Sequence, residues 1–484
     1  MSVEYADLQG AVDRQVLYRS ERFRAKELLG PIPPEVLVGG VGFALHDISM
    51  SGLAIQTPAN DSAPEVGSTV SFALGHDDET IYRGRGEVAR VEPRKDGLRV
   101  GIRVLDGYLD VSEIAAVHRH RLLMQELDEI PLAHQLHVTP EYRKHCADVV
   151  FKLRRYRKLL ERYEAEADGG DAAARQRFEE AFAFCAERFV ADWRSLWRQG
   201  YAAVKPLLAD RRAVAAAKRF TEDVVTPELL DGPIWKRSFE KPLGYPGDFQ
   251  IMNYVYADDD RGDSAYARLC HRIGVEVGSC VRTRMEIVAE DLKELLSRDE
   301  GTCHVTSLGC GSAAEVPRVL NDPDVQRPAV LTLIDQDRDA LSCAYRNIFP
   351  LVNEGDGQIE LSCLHLSFGQ LMGGASVIAQ LPPQDFIYCV GLIDYLTERA
   401  AQMLVAALFS RLAPGGTLVI GNMKAGTDII WPMTFILDWE LIYRDEEEMY
   451  ALAQFIKPAK TELRLDSTGY NYLMSMTAPK LSSV

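Results

Sequence analysis

At 484 residues the chain exceeds what one hydrophobic core organises, so two or three domains are expected. Its 54 basic and 71 acidic side chains leave a net charge of −17, which argues against a nucleic-acid polymer as partner and against docking on anionic lipid. A content of 47% hydrophobic and 26% charged residues is that of a globular protein. The nine cysteines are scattered, with no Cys-x-x-Cys pair and no histidines at zinc-ligand spacing, so reduced thiols and no metal are expected. The N-terminus lacks a basic stretch followed by an apolar one. The longest apolar run, Ile429 to Leu437, falls far short of the roughly 20 residues that cross a bilayer. No membrane span and a cytoplasmic location are therefore expected.

From about Val16 to Leu105 short β-rich runs alternate with turn signals: Glu35-Val-Leu-Val, Gly42-Phe-Ala-Leu, Gly52-Leu-Ala-Ile, Thr69 to Leu74, Gly84 to Val91 and Leu98 to Leu105. They predict a small antiparallel β-barrel. Between about Val111 and Leu230 apolar residues recur at three and four in stretches such as Lys152 to Ala167 and Ala172 to Arg198, which predicts a helical region broken at Asp168-Gly-Gly-Asp. Beyond Asp263 the pattern alternates. One amphipathic helix is expected to Leu296, then strands over His304–Leu308, Val330–Ile334, Ile359–Leu364, Asp385–Val390 and Thr417–Gly421, with helices over Glu315–Leu320, Ala340–Phe349 and Glu398–Leu412 between them. Units of this length imply a mostly parallel, Rossmann-like α/β sheet covered by helices. The expected division is a β-barrel over 1–112, a helical domain over 113–235 and an α/β domain over 236–484.

The first strand–helix junction of the α/β part reads Val305-Thr-Ser-Leu-Gly309-Cys310-Gly311-Ser-Ala-Ala-Glu315. Glycines there allow a tight turn and let a ligand approach main-chain N–H groups at a helix start. The second strand ends in Asp335, placed to accept hydrogen bonds from ribose hydroxyls. A nicotinamide-dinucleotide fold shares this local physics, because Gly309-x-Gly311-x-x-Ala314 followed by an acidic residue satisfies its fingerprint as well. Downstream, Asp385-Phe-Ile-Tyr-Cys-Val-Gly-Leu-Ile-Asp-Tyr and Arg411-Leu-Ala-Pro-Gly-Gly-Thr-Leu-Val-Ile-Gly-Asn resemble the fourth and fifth strands of class I S-adenosylmethionine-dependent methyltransferases.

Three further segments sharpen the resemblance: Lys241-Pro-Leu-Gly-Tyr245-Pro-Gly-Asp248, Gly391-Leu-Ile-Asp394-Tyr395-Leu, and Ile436-Leu-Asp438-Trp-Glu-Leu-Ile-Tyr443-Arg444. Over about Pro233 to Met476 the chain resembles the extracellular-factor 3-hydroxypalmitic acid methyl ester biosynthesis family, methyltransferases implicated in making fatty-acid methyl ester quorum-sensing signals. The resemblance implies S-adenosylmethionine as cofactor and the carboxylate of a fatty acid or other acyl precursor as methyl acceptor. It puts Gly309, Cys310 and Gly311 at the methionine portion of the cofactor, Asp335 on the ribose, and Glu315, which opens the following helix, among the cofactor-binding residues. Gln336 flanks the adenine, His365 and Leu366 approach it from the other side, and Gly391 with Leu392 lies near the sulfonium. Where many methyltransferases carry an acidic residue after the third strand, this chain has Leu364-His365-Leu366. Tyr245, Tyr395 and Asn422 are the expected hydrogen-bond donors to a carboxylate, with Arg444 as a pairing cation. For a hydroxyl or amine acceptor, His365 or Asp394 becomes the candidate base. Asp438 and Arg444 fit a fold-internal ion pair equally well, and Met423, Trp431 and Met433 fit the core.

In the N-terminal part, His46-Asp47-Ile-Ser49-Met-Ser-Gly52-Leu resembles the Asp/Asn-x-Ser-x-x-Gly signature of PilZ domains, which implies cyclic di-GMP as a ligand. Arg19, Arg22 and Arg24 stand where such domains carry Arg-x-x-x-Arg, whose guanidinium groups clasp phosphates. Neither Arg19 nor Arg22 has an arginine four positions on. The alternatives are a chain that is chiefly a cyclic di-GMP-responsive binding module, whose methyltransferase part is its regulated output, is inactive or acts on a non-lipid small molecule, and a degenerate barrel that braces the helical region or a homodimer interface.

Overall fold

The computed structural model describes residues 6–8, 16–18, 22–30, 33–57, 64–76, 79–94, 97–133, 138–298, 300–354, 358–366, 378 and 380–480; Arg19 lies outside the described residues. The chain divides into two compact units, residues 1–135 and 136–484. Where three domains were expected, the helical segment after residue 136 belongs to the same unit as the α/β sheet.

The first unit opens with a short hairpin of β1 (Ala6–Leu8) and β2 (Val16–Tyr18), then β3 (Phe23–Arg24) and α1 (Ala25–Leu29). Six strands follow: β4 (Glu35–Val38), β5 (Val41–Ser49), β6 (Gly52–Thr57), β7 (Thr69–His76), β8 (Glu79–Arg94) and β9 (Gly97–Val104). They close into an antiparallel barrel in the order β5-β4-β7-β8-β9-β6, with β6 returning to β5. Closure leaves no open edge among these six. Period-two alternation builds the core: along β9, Val100 and Ile102 are buried while Arg103 is exposed. A register shift between Leu45 and Asp47 interrupts the alternation of β5, and Asp47 is buried at 4% exposure. Helix α2 (Val111–Ala133) contributes Val111, Ile114 and Ala115 to the same core.

The second unit begins with three helices, α3 (Pro140–Asp168), α4 (Ala172–Val204) and α5 (Arg211–Val224). The break predicted at Asp168-Gly-Gly-Asp is there, with Asp171 capping α4 by accepting from Ala174 N–H at 2.8 Å. Then come α6 (Pro233–Glu240), α7 (Phe249–Ala257), α8 (Ala265–Val277) and α9 (Ser279–Leu296). The single helix expected up to Leu296 is therefore two. The junction is Gly278, where an added Cβ would collide with the side chain of Val255 on α7. Trp193, Trp197, Trp235 and Trp431 lie in one apolar core shared by α3 to α9 and the π-helical turn Trp431–Ile436.

The remaining elements are β10 (Cys303–Leu308), α10 (Glu315–Leu320), β11 (Ala329–Asp335), α11 (Arg338–Glu354), β12 (Ile359–His365), β13 (Gln384–Cys389), α12 (Glu398–Phe409), β14 (Leu412–Met423), α13 (Glu446–Ala451), β15 (Lys460–Leu465) and β16 (Asn471–Thr477). Their order is β12-β11-β10-β13-β14-β16-β15. The first five run parallel, and β16 lies antiparallel between β14 and β15. Alternate residues of the central strands face opposite sides: Leu331 and Phe386 pack with α9, α10 and α11, whereas Ile387 and Ile420 pack with α12 and α13. Among the described residues no helix is long and apolar enough to cross a membrane.

Candidate functional site

In an open parallel sheet a crevice forms beyond the carboxyl ends of the strands, where the strand order reverses. Here that point lies between β10 and β13. A cavity of about 410 Å³ opens there. Gly309, Gly311, Asp335, Gln336, Leu366, Gly391 and Leu392 line one part of it. Gly309 (φ 67°) and Gly311 (φ 54°) adopt left-handed backbone, which glycine takes without steric cost. The space in front of them is open: the nearest atom to a Cβ built on Gly309 is 3.8 Å away, and on Gly311 3.9 Å. Asp335 ties this turn to the tip of β11, accepting from Gly311 N–H at 2.8 Å and from Asp337 N–H at 2.9 Å. Burial pushes its carboxyl upward, and these two donors oppose the shift.

The other part of the cavity is apolar. Trp235, Ile251, Val255, Val277, Met433 and Trp439 are among its walls. Tyr245 and Tyr395 bring hydroxyls to it. Tyr245 donates weakly to Asp337 at 3.5 Å, and Tyr395 accepts from Trp439 Nε1 at 2.9 Å, so its own proton is free for a ligand. Burial raises both phenols, which keeps them protonated donors. Gly247, in the Tyr245-Pro-Gly-Asp segment, lies flat on Trp439, and a Cβ there would collide with the indole. Asp248 caps α7 through Gln250 and Ile251 N–H and pairs with Arg237 at 2.8 Å.

Several expected site residues stand elsewhere. Asn422 is fully buried and does not line the cavity; its amide donates to the carbonyls of Met423 and Ile442, each at 2.9 Å, and its oxygen accepts from Arg444. Arg444 in turn donates to the carbonyls of Ile393 (3.1 Å) and Leu396 (2.5 Å), so the pair braces the turn after β13, outside the cavity lining. Asp438 does not meet Arg444. It pairs with Lys218 and Lys241, joining α5 to the segment before Tyr245. His365 is exposed and outside the cavity lining, with Nε2 3.0 Å from the Gln336 carbonyl. Cys310 and Glu315 also lie outside the lining. The Cys310 thiol turns back to Gly311 O, and Glu315 is buried, accepting from Tyr388 OH at 2.7 Å. Asp394 does line the cavity, buried and accepting from Met423 N–H at 2.6 Å. Met423 and Met433 line it as well, whereas Trp431 belongs to the helical core.

The apolar walls and one charged lining residue escaped the sequence reading. Arg284 on α9 is half-buried in the cavity wall, and a Cβ built on Gly391 would sit 3.1 Å from its Nη2. The signal was available: Cys280, Arg284 and Val288 fall at i, i+4 and i+8, so a cation interrupts an otherwise buried helix face.

In the first unit, Asp47 accepts from both Arg22 and Arg99, and Arg99 also donates to His46 Nδ1 at 3.0 Å. Burial raises the Asp47 carboxyl, but the two guanidinium groups outweigh it and hold the carboxyl below its ordinary range. Ser49 Oγ donates to Gly52 O at 3.0 Å across the β5–β6 turn. A Cβ at Gly52 would collide with the carbonyl of Ile102, so only glycine fits. Arg24 is exposed and 3.9 Å from Glu27. Residues 19–116 match the PilZ domain family. The PilZ barrel thus carries its signature residues Asp47, Ser49 and Gly52 inside its own bonding network, together with Arg22; Arg24 pairs with Asp47 through the β3–β5 backbone ladder, while its side chain lies near Glu27.

Among solved structures, the chain is similar to a "possible exported protein" from Bordetella parapertussis, with 18% identity over 56% of this chain and 99% of that one, at a TM-score of 0.40. Magnesium protoporphyrin IX methyltransferase from Synechocystis with bound S-adenosylhomocysteine is similar at 11% identity over 54% and 99%, TM-score 0.35. The N-methyltransferase NodS from Bradyrhizobium japonicum, also with S-adenosylhomocysteine, is similar at 16% identity over 40% and 87%, TM-score 0.28. No curated protein matches the chain. Among the described residues no cluster of three or more His, Cys, Asp or Glu could hold a metal ion.

Proposed function

We propose that the second unit binds S-adenosylmethionine at the glycine turn and transfers its methyl group to the carboxylate of a fatty acid or related acyl precursor in the apolar part of the same cavity. The observation that carries this reading is the continuity of the two parts: the open glycine turn with Asp335 and the apolar walls with Tyr245 and Tyr395 belong to one cavity. The antiparallel β16 between β14 and β15 weighs against the dinucleotide alternative, whose sheet runs 3-2-1-4-5-6.

When bound, the cofactor supplies an activated methyl group on a sulfonium. The residues have the simpler task of positioning. Asp335 offers its remaining lone pairs to ribose hydroxyls, and Gln336 and Leu366 flank the adenine. A carboxylate of pKa about 4 to 5 is already ionised near neutrality, so no general base is needed. Tyr245 and Tyr395 hold it by hydrogen bonds, while the walls exclude water and align the attacking oxygen.

The test is incubation of the full chain with S-adenosylmethionine labelled in its methyl group and straight-chain acids of graded length. Label is expected in an extractable methyl ester, with a rate that is flat from about pH 6 upward because no base titrates. S-adenosylhomocysteine binding without any labelled ester would remove the acceptor and leave the cofactor reading. A second reading concerns the PilZ barrel, whose family match favours cyclic di-GMP as regulator. Phosphates would compete with Asp47 for Arg22. Absence of heat at high micromolar cyclic di-GMP in calorimetry would discard it.

A further inference from the structure

Among the described residues that line the cavity, Arg284 alone is cationic. Its acidic neighbours in the lining are engaged: Asp335 accepts from two backbone N–H groups and Asp394 from Met423 N–H. Asp394 bears on Arg284 electrostatically, yet among the described residues no carboxylate reaches ion-pair distance of this guanidinium. A guanidinium in this largely apolar wall has lost part of its water without gaining an ion-pair partner. Glycine at 391 lets it lie against the backbone that follows β13. Leu392, the next residue, adjoins Gly309, while Cys280 and Val281 of α9 face the apolar part. Arg284 therefore stands where the two parts of the cavity meet.

We infer that Arg284 holds a ligand carboxylate in a forked, charge-assisted pair. This rests on the methyl-transfer reading and adds a specificity-determining residue to it. That reading offers two carboxylates, the amino-acid end of the cofactor and the acceptor, and one experiment separates them. Native protein, Arg284→Met and Arg284→Lys are titrated with S-adenosylhomocysteine and with 5′-methylthioadenosine, which lacks the carboxylate. Decanoate and methyl decanoate are then titrated in the presence of S-adenosylhomocysteine.

Arg284→Met is expected to lose at least tenfold on one carboxylate ligand while keeping its uncharged counterpart within about twofold, and Arg284→Lys to recover part of the loss. A loss confined to S-adenosylhomocysteine assigns the residue to the cofactor, and a loss confined to decanoate assigns it to the acceptor. The inference is overturned if neither carboxylate ligand is weakened, or if methylthioadenosine or the ester weakens equally, which marks a purely structural arginine. Failure of the underlying reading is visible earlier, as native protein that binds neither adenosyl ligand, and takes the inference with it.

Discussion

Arg22 and Arg99 of the PilZ barrel and Arg284 of the cavity make opposite use of one side chain. In the barrel, two guanidinium groups converge on a single buried carboxylate, Asp47, so each has an ion-pair partner within the fold, although they share it. In the cavity, one guanidinium stands in an apolar wall with no carboxylate in ion-pair reach among the described residues. The first arrangement is complete when the barrel folds. The second is complete only when an anion arrives. The difference teaches where to look for a ligand: at the charge the fold leaves unmatched.

A third case sharpens the contrast and carries the largest expected effect. His145 and His271 are buried in the second unit, and burial lowers both to about 4. Unlike arginine, they answer burial by staying neutral. Because the folded values lie below the unfolded value near 6.5, the unfolded state binds more protons as pH falls from about 6.5 to 4. Stability of the second unit should be full above pH 6.5 and fall by about 3 kcal/mol per histidine across that window. Urea midpoints measured against pH check this, and His145→Leu should flatten the slope. An unchanged slope would contradict neutral burial.

Next in size is Asp47→Ala. Removing the shared acceptor leaves Arg22 and Arg99 facing each other, and the barrel should lose about 2 kcal/mol, less than for a sealed pair because Arg22 is partly exposed. The native pair should weaken only in acid, below about pH 4, since the folded carboxyl lies under its ordinary range. Differential scanning calorimetry of the full chain reads this, and a barrel transition that does not move would show that the clamp contributes nothing. The smallest effect concerns the cluster of Lys218 and Lys241 on Asp438, whose carboxylate is 38% exposed. Asp438→Asn should cost under about 1 kcal/mol, and less in high salt. A larger loss in urea titration would mean that the segment before Tyr245 depends on it.

The sequence announced the scaffold better than the site, for physical reasons. The six barrel strands and the alternating elements from β10 to β14 follow from periodicity, and the glycine turn and Asp335 from local backbone demands. β15 and β16 were not anticipated, although they complete the sheet. Asn422, Arg444 and His365 were mistaken for site residues because residue type does not reveal where a polar group finds its partner: the first two satisfy each other and nearby carbonyls, and the third props the Gln336 carbonyl. Arg284 and the Asp47–Arg99 pairing were missed because each depends on contacts between distant parts of the chain.

The most direct test of the central claim is calorimetric titration of S-adenosylmethionine into native protein and into Asp335→Ala. The account predicts one saturable site per chain, weakened roughly 30-fold or more by the substitution, as the loss of a charged hydrogen-bond acceptor worth about 2 kcal/mol requires. No saturable binding by native protein, or equal binding by Asp335→Ala, would contradict it.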